Sequence, residues 1–256
     1  MLAIVREVPR SVVDGERTHI EREPIDLDLA RKEHRLYTEA LANLGCEIVS
    51  LPELPYLPDS VFVEDTALVL DELALLTRPG AASRRPEVDA IAPVLATYRA
   101  VQRIEAPATL DGGDILRFGK KIFVGLSSRS GPEGVRALAD ILEPRGYAVE
   151  GVSLHDCLHL KSAVSVVAPD TLLVQPQWVD SGAFDAARIL HVDPDPAECF
   201  AANAVYCGER VLLADAFPRT RERLEGVGLE VVSVPAGQLA KAEGGVTCCS
   251  LLLGRS

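Results

Sequence analysis

The sequence predicts an α/β fold in which five strand and helix units close into a ring, a five-bladed pseudo-symmetric α/β propeller. Two observations predict it. Short strand-like runs recur about every 40 to 55 residues along the chain, and a period of that size is typical of a repeated supersecondary unit. Each run is followed by a loop and then, in most units, by two β-rich runs around a tight turn. Because no linker interrupts the pattern, we expect residues 1–256 to form a single domain of five strand/helix repeats.

The first elements set the order of the unit. The chain starts with LAIVREV, a strand that has no partner nearby in the sequence. The helical pattern DLDLARKEHRLYTEALANLG follows and is expected to end at Gly45. Next come the strand run CEIVSLP at 46, the hairpin TALVL-DE-LALLT, the helix PEVDAIAPVLATY and the run VQRIEAP at 101.

The later units repeat this order. The second has the hairpin ILRF-GK-KIFVGL, the helix GPEGVRALADILEPRG and the run YAVEGVSL at 147; Ser130 and Glu133 are expected to form a capping box for that helix. The third and fourth units contain AVSVVA-PD-TLLVQ with RILHVDP and AVYC-GE-RVLLA with LEVVSVP. The fifth has only VTCCSLLLG after its loop, so we expect LAIVREV to complete it and close the ring.

The composition narrows the class of partner and the location. With 26 basic and 38 acidic residues the chain carries a net charge of −12, which disfavours nucleic acid and anionic membranes and favours a cationic small molecule. There is no apolar run long enough to span a bilayer and no signal-like N-terminal segment. The six cysteines include no CxxC pair, so most are expected to be buried free thiols. These features predict a cytoplasmic protein, and they leave open whether it is a homo-oligomer.

Equivalent stretches of the five units should meet near the ring axis, because each lies just before the second β-run of its unit. They carry carboxylates, a histidine, an asparagine and a cysteine. Such a convergence of reactive side chains is what a catalytic cleft requires. The stretches are PDSVFVED (58–65), LDGGD (110–114), LHLKS (158–162), AAN (201–203) and GGVTCC (244–249).

Cys248 is the candidate nucleophile of this group. His159 would act as general acid and base, and Asp111 would hold and polarise the imidazole. A lone cysteine is more often a core thiol, but a position at the axis beside two glycines favours a reactive one. Because successive side chains of a strand face opposite sides, one cysteine can face the cleft and the other the core, so Cys249 is expected to pack in the core.

The segment HDCLH is a competing interpretation. His155 and His159 are four residues apart and would share one face of a helix, as zinc ligands often do. The following KSAVSVVAPD is typical of a strand, however, and in an extended chain the two imidazoles would not converge. We therefore predict no metal site, with a zinc-binding protein as the weaker hypothesis.

Charged residues in the first two units indicate how a substrate could be held. Arg84 and Arg129 both follow a strand end and precede a Pro-Glu helix start, a position suited to binding a carboxylate. Asp59, Glu64 and Asp65 flank the apolar SVFV segment. A cluster of fixed carboxylates selects a cation, ideally a planar guanidinium with several donors.

Taken together, FVEDTALVL, LTRPGAASRRPEV, ATLDGGDIL, LHLKS, AAN and GGVTCCS resemble, in this order, the dimethylarginine dimethylaminohydrolases of the guanidine-modifying pentein superfamily. The motifs extend from about residue 5 to residue 253. The resemblance implies a five-bladed α/β propeller of the pentein type. It also implies hydrolysis of free Nω-mono- or asymmetric dimethylarginine to citrulline and methylamine or dimethylamine, through a covalent Cys thiouronium intermediate and without a cofactor.

The resemblance also implies a role for each matching residue. Cys248 would be the nucleophile, His159 the general acid and base, and Asp111 the third catalytic group. Asp65 and Glu64 would contact the substrate, Asp65 at the guanidinium; Asp59 would hold the α-amine, and Arg84 and Arg129 the α-carboxylate. VVDGE resembles the family's flexible lid, whose backbone carbonyl at Glu16 would reach the substrate. Relatives often have an apolar residue at that position, so lid closure is expected to differ here.

Two other functions fit the same residues. An arginine deiminase-type hydrolase would use the same triad and guanidinium clamp on unmethylated arginine, although the short chain without inserted domains favours the methylarginine enzyme. The fold could also serve as a noncatalytic binder of cationic amino acids. The joint presence of Cys248, His159 and Asp111 disfavours that.

Overall fold

Five three-stranded sheets make up the fold, as the sequence pattern predicts. They are seen in a computed structural model that describes residues 1–254. Within each sheet an inner strand runs antiparallel to a middle strand, and the middle strand runs parallel to an outer one. The sheets, each given as inner, middle and outer strand, are Ala67–Val69, Leu73–Leu76 and Ala100–Arg103 (β3, β4, β5); Ile115–Phe118, Lys121–Leu126 and Ala148–Ser153 (β6, β7, β8); Val164–Ala168, Thr171–Val174 and Arg188–His191 (β9, β10, β11); Val205–Cys207, Arg210–Ala214 and Val231–Val234 (β12, β13, β14); and Leu251–Leu253, Leu2–Arg6 and Glu47–Leu51 (β15, β1, β2).

The ring closes through the fifth sheet. The strand β1 pairs antiparallel with β15, Leu2 lying opposite Leu253, and parallel with β2, Leu2 lying opposite Glu47. The first strand-like run of the sequence therefore completes the fifth unit, as predicted. The α/β class and the five-bladed propeller are confirmed.

Four helices connect the middle strand of a sheet to its outer strand, and two short ones precede inner strands. They are Leu27–Asn43 (α1), Arg85–Leu95 (α2), Pro132–Leu142 (α3), Leu160–Ala163 (α4), Pro218–Gly226 (α5) and Gly237–Ala240 (α6). The third sheet departs from the repeat, because the chain between β10 and β11 forms only the 3-10 turn Ser181–Ala183. Among residues 1–254 there is no helix long and apolar enough to cross a membrane.

One predicted helix cap is wrong. The N-cap of α3 is Gly131, without a side-chain cap, and not Ser130. The hydroxyl of Ser130 instead accepts a hydrogen bond from the backbone N–H of Asp111, 2.9 Å away. The Ser-to-Glu spacing that is typical of a capping box therefore comes from a residue that positions an axial carboxylate.

The middle strands carry the core. Their residues are apolar on both faces and mostly buried, from β1 with all five residues buried to β10 with all four. The outer strands β2, β5 and β11 contain no buried residue. Burying an aliphatic or aromatic side chain stabilises a fold by about 1.5–3 kcal/mol, so the middle strands fix each sheet and hold the loops that precede the inner strands.

Candidate active site

Seven of the nine residues predicted for the site line one narrow cavity. Its volume is about 20 Å³, close to the space that a single water molecule needs. The predicted residues in its wall are Cys248, His159, Glu16, Asp59, Asp65, Arg84 and Arg129, and the wall also contains Phe62, Leu158, Ala242 and Glu243. The structure thus brings together side chains from loops that are far apart in sequence.

His159 and Asp111 form a buried pair. His159 lies at the N-terminus of α4, and its Nε2 is 3.1 Å from Oδ2 of Asp111. Asp111 is fully buried and its other oxygen accepts the N–H of Gly80 at 2.8 Å. The pairing fixes the imidazole ring and leaves Nδ1, 3.8 Å from Oδ1 of Asp65, as the nitrogen free to transfer a proton.

The imidazole is held as a cation. Burial alone would lower the pKa of His159, but the charge of Asp65 and the hydrogen bond to Asp111 outweigh it and raise the pKa to about 9. Gly113 makes this grouping sterically feasible: a Cβ there would lie 2.6 Å from Oδ1 of Asp65 and 2.7 Å from Nδ1 of His159. At neutral pH His159 is therefore a proton donor before any substrate arrives.

The Cys248 thiol sits in a turn, not in a strand. Residues 246–249 form the turn and β15 begins only at Leu251, so the alternation argument for the two cysteines was wrong in its premise. Its outcome holds all the same, since Cys248 lines the cavity and Cys249 is buried in the core. The sulfur of Cys248 accepts a hydrogen bond from the N–H of Gly245 at 3.3 Å.

The resting form of Cys248 is the neutral thiol. Burial and the charges of Glu64 and Asp65 raise its pKa to about 12, and the Gly245 N–H and the Thr247 hydroxyl only partly oppose this. Cys248 is therefore not ionised in the free protein and needs a further positive charge nearby to ionise.

Asp65 is ionised and tied to Arg84. Burial would raise its pKa, but His159, Arg84 and the N–H of Gly113 lower it to about 2. Arg84 is buried and gives its donors to Asp65, to both oxygens of Glu87 and to the carbonyls of Asp59 and Phe62. Binding of a substrate carboxylate by Arg84 stays a prediction, because its guanidinium already has five acceptors in the protein.

Glu16, the last residue of the predicted lid motif VVDGE, lines the cavity, and residues 12–19 are called the lid below. The N–H of Glu16 donates to Oδ2 of Asp59 at 3.1 Å, and the Glu16 carboxylate accepts the hydroxyl of Ser83 at 2.7 Å. Arg129 donates to the hydroxyl of Thr18 at 3.2 Å. Asp59 and Arg129, the groups predicted to hold a substrate's amine and carboxylate, are therefore bonded to the lid itself.

Glu243 anchors the other end of the lid. Its carboxylate accepts the backbone N–H groups of Thr18 and His19. Its φ of 57° is in the left-handed region, which is uncommon for a residue with a side chain and concentrates at functional positions. The sequence offers no signal for this role beyond the two glycines that follow Glu243.

Glu64 lies outside the catalytic cavity. Its carboxylate accepts the ammonium of Lys161 and the hydroxyl of Thr247, both at 2.7 Å. These residues border a separate cavity of about 430 Å³, which is lined by residues of all five inner strands and shares no lining residue with the first. Substrate contact by Glu64 stays a prediction.

A metal ion could be held by one group of residues in the described chain. Ligand atoms of Asp65, Asp111 and His159 lie within 4.8 Å of one another. His155 is not in that group; it is exposed, and the HDCLH segment is not helical up to His159. Asp65 and Asp111 are also the carboxylates that keep the His159 imidazole charged. The hydrogen bond and the charges within this group already account for the short distances between its members.

Comparison with known proteins gives a consistent result. Residues 53–214 match the family "Arginine deiminase". An "N(G),N(G)-dimethylarginine dimethylaminohydrolase" of Streptomyces coelicolor is 38% identical over 98% of this chain and 96% of its own, and one of Pseudomonas aeruginosa is 36% identical over 97% of both. The structure of a Cys-to-Ser variant of such an enzyme from Pseudomonas aeruginosa, complexed with citrulline, superposes with a TM-score of 0.89 at 35% identity, covering 97% of each chain.

Proposed function

We propose that this chain, which belongs to the dimethylarginine dimethylaminohydrolase family, hydrolyses free Nω-mono- or asymmetric dimethylarginine to citrulline and methylamine or dimethylamine. The observation that carries the proposal is the shared cavity of Cys248, His159 and Asp65, with Asp111 behind the imidazole. A thiol, a protonated imidazole and fixed carboxylates are the groups needed to attack a guanidinium carbon and expel an amine.

The charges of the cleft suggest how the first step starts. The guanidinium would lie against Asp65, and its positive charge would oppose the carboxylates that keep Cys248 protonated. Once the thiol has lost its proton to solvent, the thiolate attacks the central carbon of the guanidinium. His159, protonated in the resting state, gives its proton to the departing methylamine, and an S-alkylthiouronium remains on Cys248.

The second step uses the same imidazole as a base. His159, now neutral, takes a proton from water, and the resulting hydroxide attacks the thiouronium carbon. Collapse of that adduct releases citrulline, and the Cys248 thiolate is reprotonated. Asp111 would stabilise the imidazolium in both steps. No electrons are transferred, so the reaction as proposed needs no cofactor.

The proposal extends to the whole molecule. We expect one catalytic domain that works in the cytoplasm on a small-molecule substrate. The single domain and the kind of substrate are supported by relatives matched along 97% or more of this chain. Six free cysteines in residues 1–254 fit a reducing compartment.

The proposal is tested by citrulline formation. Wild type, Cys248→Ser and the matched control Cys249→Ala are incubated with asymmetric dimethylarginine and with arginine, in separate reactions with a chelator. We expect citrulline from dimethylarginine with wild type and with Cys249→Ala, and none with Cys248→Ser.

The match to the arginine deiminase family makes arginine the second candidate substrate. Faster turnover of arginine than of dimethylarginine would move the chain to that reaction. Citrulline from neither compound, in a folded protein, would refute both.

A further inference from the structure

Asn203 bridges the two loops that carry the proposed nucleophile and acid. It lies just before β12 and is 7% exposed. Its Nδ2 donates to the carbonyl of Lys161 at 3.0 Å and to the hydroxyl of Thr247 at 2.9 Å, and its Oδ1 accepts the N–H of Thr247 at 3.0 Å. Lys161 is two residues after His159 and Thr247 is next to Cys248. One side chain thus bonds both loops.

The bridge belongs to a closed circuit of buried hydrogen bonds. The Thr247 hydroxyl, which accepts from Asn203, donates to Glu64, and the other oxygen of Glu64 accepts the Lys161 ammonium. The carbonyl of Lys161 leads back to Asn203. Four of the five axial loops are therefore joined in one ring of bonds. Hydrogen-bonded networks of this kind rigidify the groups they connect.

The bridge also approaches the sulfur through Gly245. A Cβ at Gly245 would lie 2.3 Å from Oδ1 of Asn203, so the backbone runs directly against the amide. The N–H of Gly245 is the donor to the Cys248 sulfur. The position of Asn203 therefore affects the hydrogen bond that the thiol accepts, although Asn203 is not in the wall of the catalytic cavity.

We infer that Asn203 is a positioning residue that fixes Cys248 relative to His159, an inference that rests on the proposed function. It does not touch the substrate. A misplacement of about 1 Å between reacting groups can cost about a hundredfold in rate. Loss of the bridge should therefore lower kcat while leaving substrate binding, which depends on Asp59 and Arg129, nearly unchanged.

The test compares the chain's two asparagines. Asn203→Ala is expected to lower kcat about ten- to a hundredfold with KM changed less than about threefold. Asn43→Ala, at the exposed end of α1, is the matched control and should stay within twofold of wild type. Equal kcat values for Asn203→Ala and wild type would overturn the inference, as would a loss expressed only in KM.

A second pair of variants keeps the test valid if Asn203→Ala does not fold. Thr247→Val keeps the shape of the side chain but removes the hydroxyl that Asn203 and Glu64 share, whereas Thr247→Ser retains it. We expect the valine variant to lose kcat as Asn203→Ala does, and the serine variant to stay within threefold of wild type. Equal losses in both variants would contradict the bridge.

Alkylation separates the inference from the proposed reaction. Iodoacetamide labelling of Cys248, followed by peptide mass spectrometry, needs no turnover. Release of the loop should raise the labelling rate at least threefold in Asn203→Ala and leave it unchanged in Asn43→Ala. If labelling is faster in Asn203→Ala but wild type shows no turnover, the proposed function is refuted and the positioning role of Asn203 stands. If the labelling rate of Asn203→Ala equals that of wild type, the positioning role is refuted.

Discussion

Binding of a substrate-shaped cation should lower the pKa of Cys248 by up to about three units. In the free protein the pKa is raised from 9.0 to about 12, which corresponds to about 4 kcal/mol against the thiolate. One positive charge about 4 Å from the sulfur contributes about 4 kcal/mol at an effective dielectric constant near 20. A bound guanidinium can therefore offset the whole shift. The thiolate fraction at neutral pH would then rise by up to about a thousandfold.

The assay is the ultraviolet absorbance of the thiolate, titrated with pH in wild type and in Cys248→Ser. The difference between the two proteins isolates Cys248 from the other five cysteines. The titration is repeated with a saturating amidine analogue of the substrate, N5-(1-iminoethyl)-L-ornithine, which is a cation with a methyl group in place of the departing amine. Citrulline, which has the same shape but no charge, is the matched ligand and should leave the pKa unchanged.

Two results would refute the reasoning. If Cys248 already titrates near neutrality in the free protein, burial and the charges of Glu64 and Asp65 do not control it. If the amidine binds and the pKa moves by less than about half a unit, the ligand charge does not reach the sulfur, and activation must come from another group.

Further predictions concern the arginines, the lid and the imidazole. Arg129→Ala should lower kcat/KM about ten- to a hundredfold or more, since it removes a charged hydrogen bond of about 1.5–3 kcal/mol, and should narrow the preference for amino acid substrates over agmatine; an unchanged kcat/KM would exclude the carboxylate contact. Arg84→Ala should lower the free energy of unfolding, measured with urea, by about 3–5 kcal/mol, because it leaves buried carboxylates unpaired. A fall in kcat/KM with a free energy of unfolding equal to that of wild type would indicate a substrate contact instead. Ser83→Ala removes the bond to Glu16, worth about 1 kcal/mol, and should raise the rate of limited trypsin cleavage in the lid three- to fivefold; no change would show that this bond does not hold the lid. Because the pKa of His159 is raised to about 9, protonated His159 should stabilise the fold by up to about 3 kcal/mol below about pH 6.5, and this contribution should be lost as pH rises through 9. The free energies of unfolding of wild type and His159→Gln, compared at pH 6 and above 9, measure this, and a difference between them that does not shrink with pH would contradict it.

The fold could be predicted because its signals are local and repeated. Each hairpin combines two β-rich runs with a two-residue turn, and five such units can bury their middle strands only by packing side by side. The strand LAIVREV had a single plausible place because the fifth unit lacked its middle strand. The unit of β9 to β11 departs from the repeat, because only the 3-10 turn Ser181–Ala183 lies between its middle and outer strands, a change that the strand period alone does not show.

The site could be predicted only in part. Residue types at the axis identify which groups meet, so Cys248, His159 and Asp111 could be selected. The hydrogen-bond partner of each group depends on which side chains the fold brings within reach. Arg84 bonds Glu87 and Asp65, and Ser130 bonds Asp111 instead of capping a helix. Arg84 and Glu87 are only three residues apart, but the contacts of Arg84 with Asp65 and of Ser130 with Asp111 each join residues 19 positions apart, a distance that strand and helix periods do not predict.

Closure of the ring also determines when the site can form during synthesis. Cys248 lies three residues before β15, and within residues 1–254 β15 pairs with β1 alone, about 250 residues earlier in the sequence. Contacts between such distant residues carry a large loop-closure cost and form late in folding. A nascent chain with four complete sheets would still hold its nucleophile on an undocked segment. Reactive chemistry at Cys248 should therefore begin only once β15 has paired with β1, so the thiol and the imidazole reach their relative positions in the last step of ring closure.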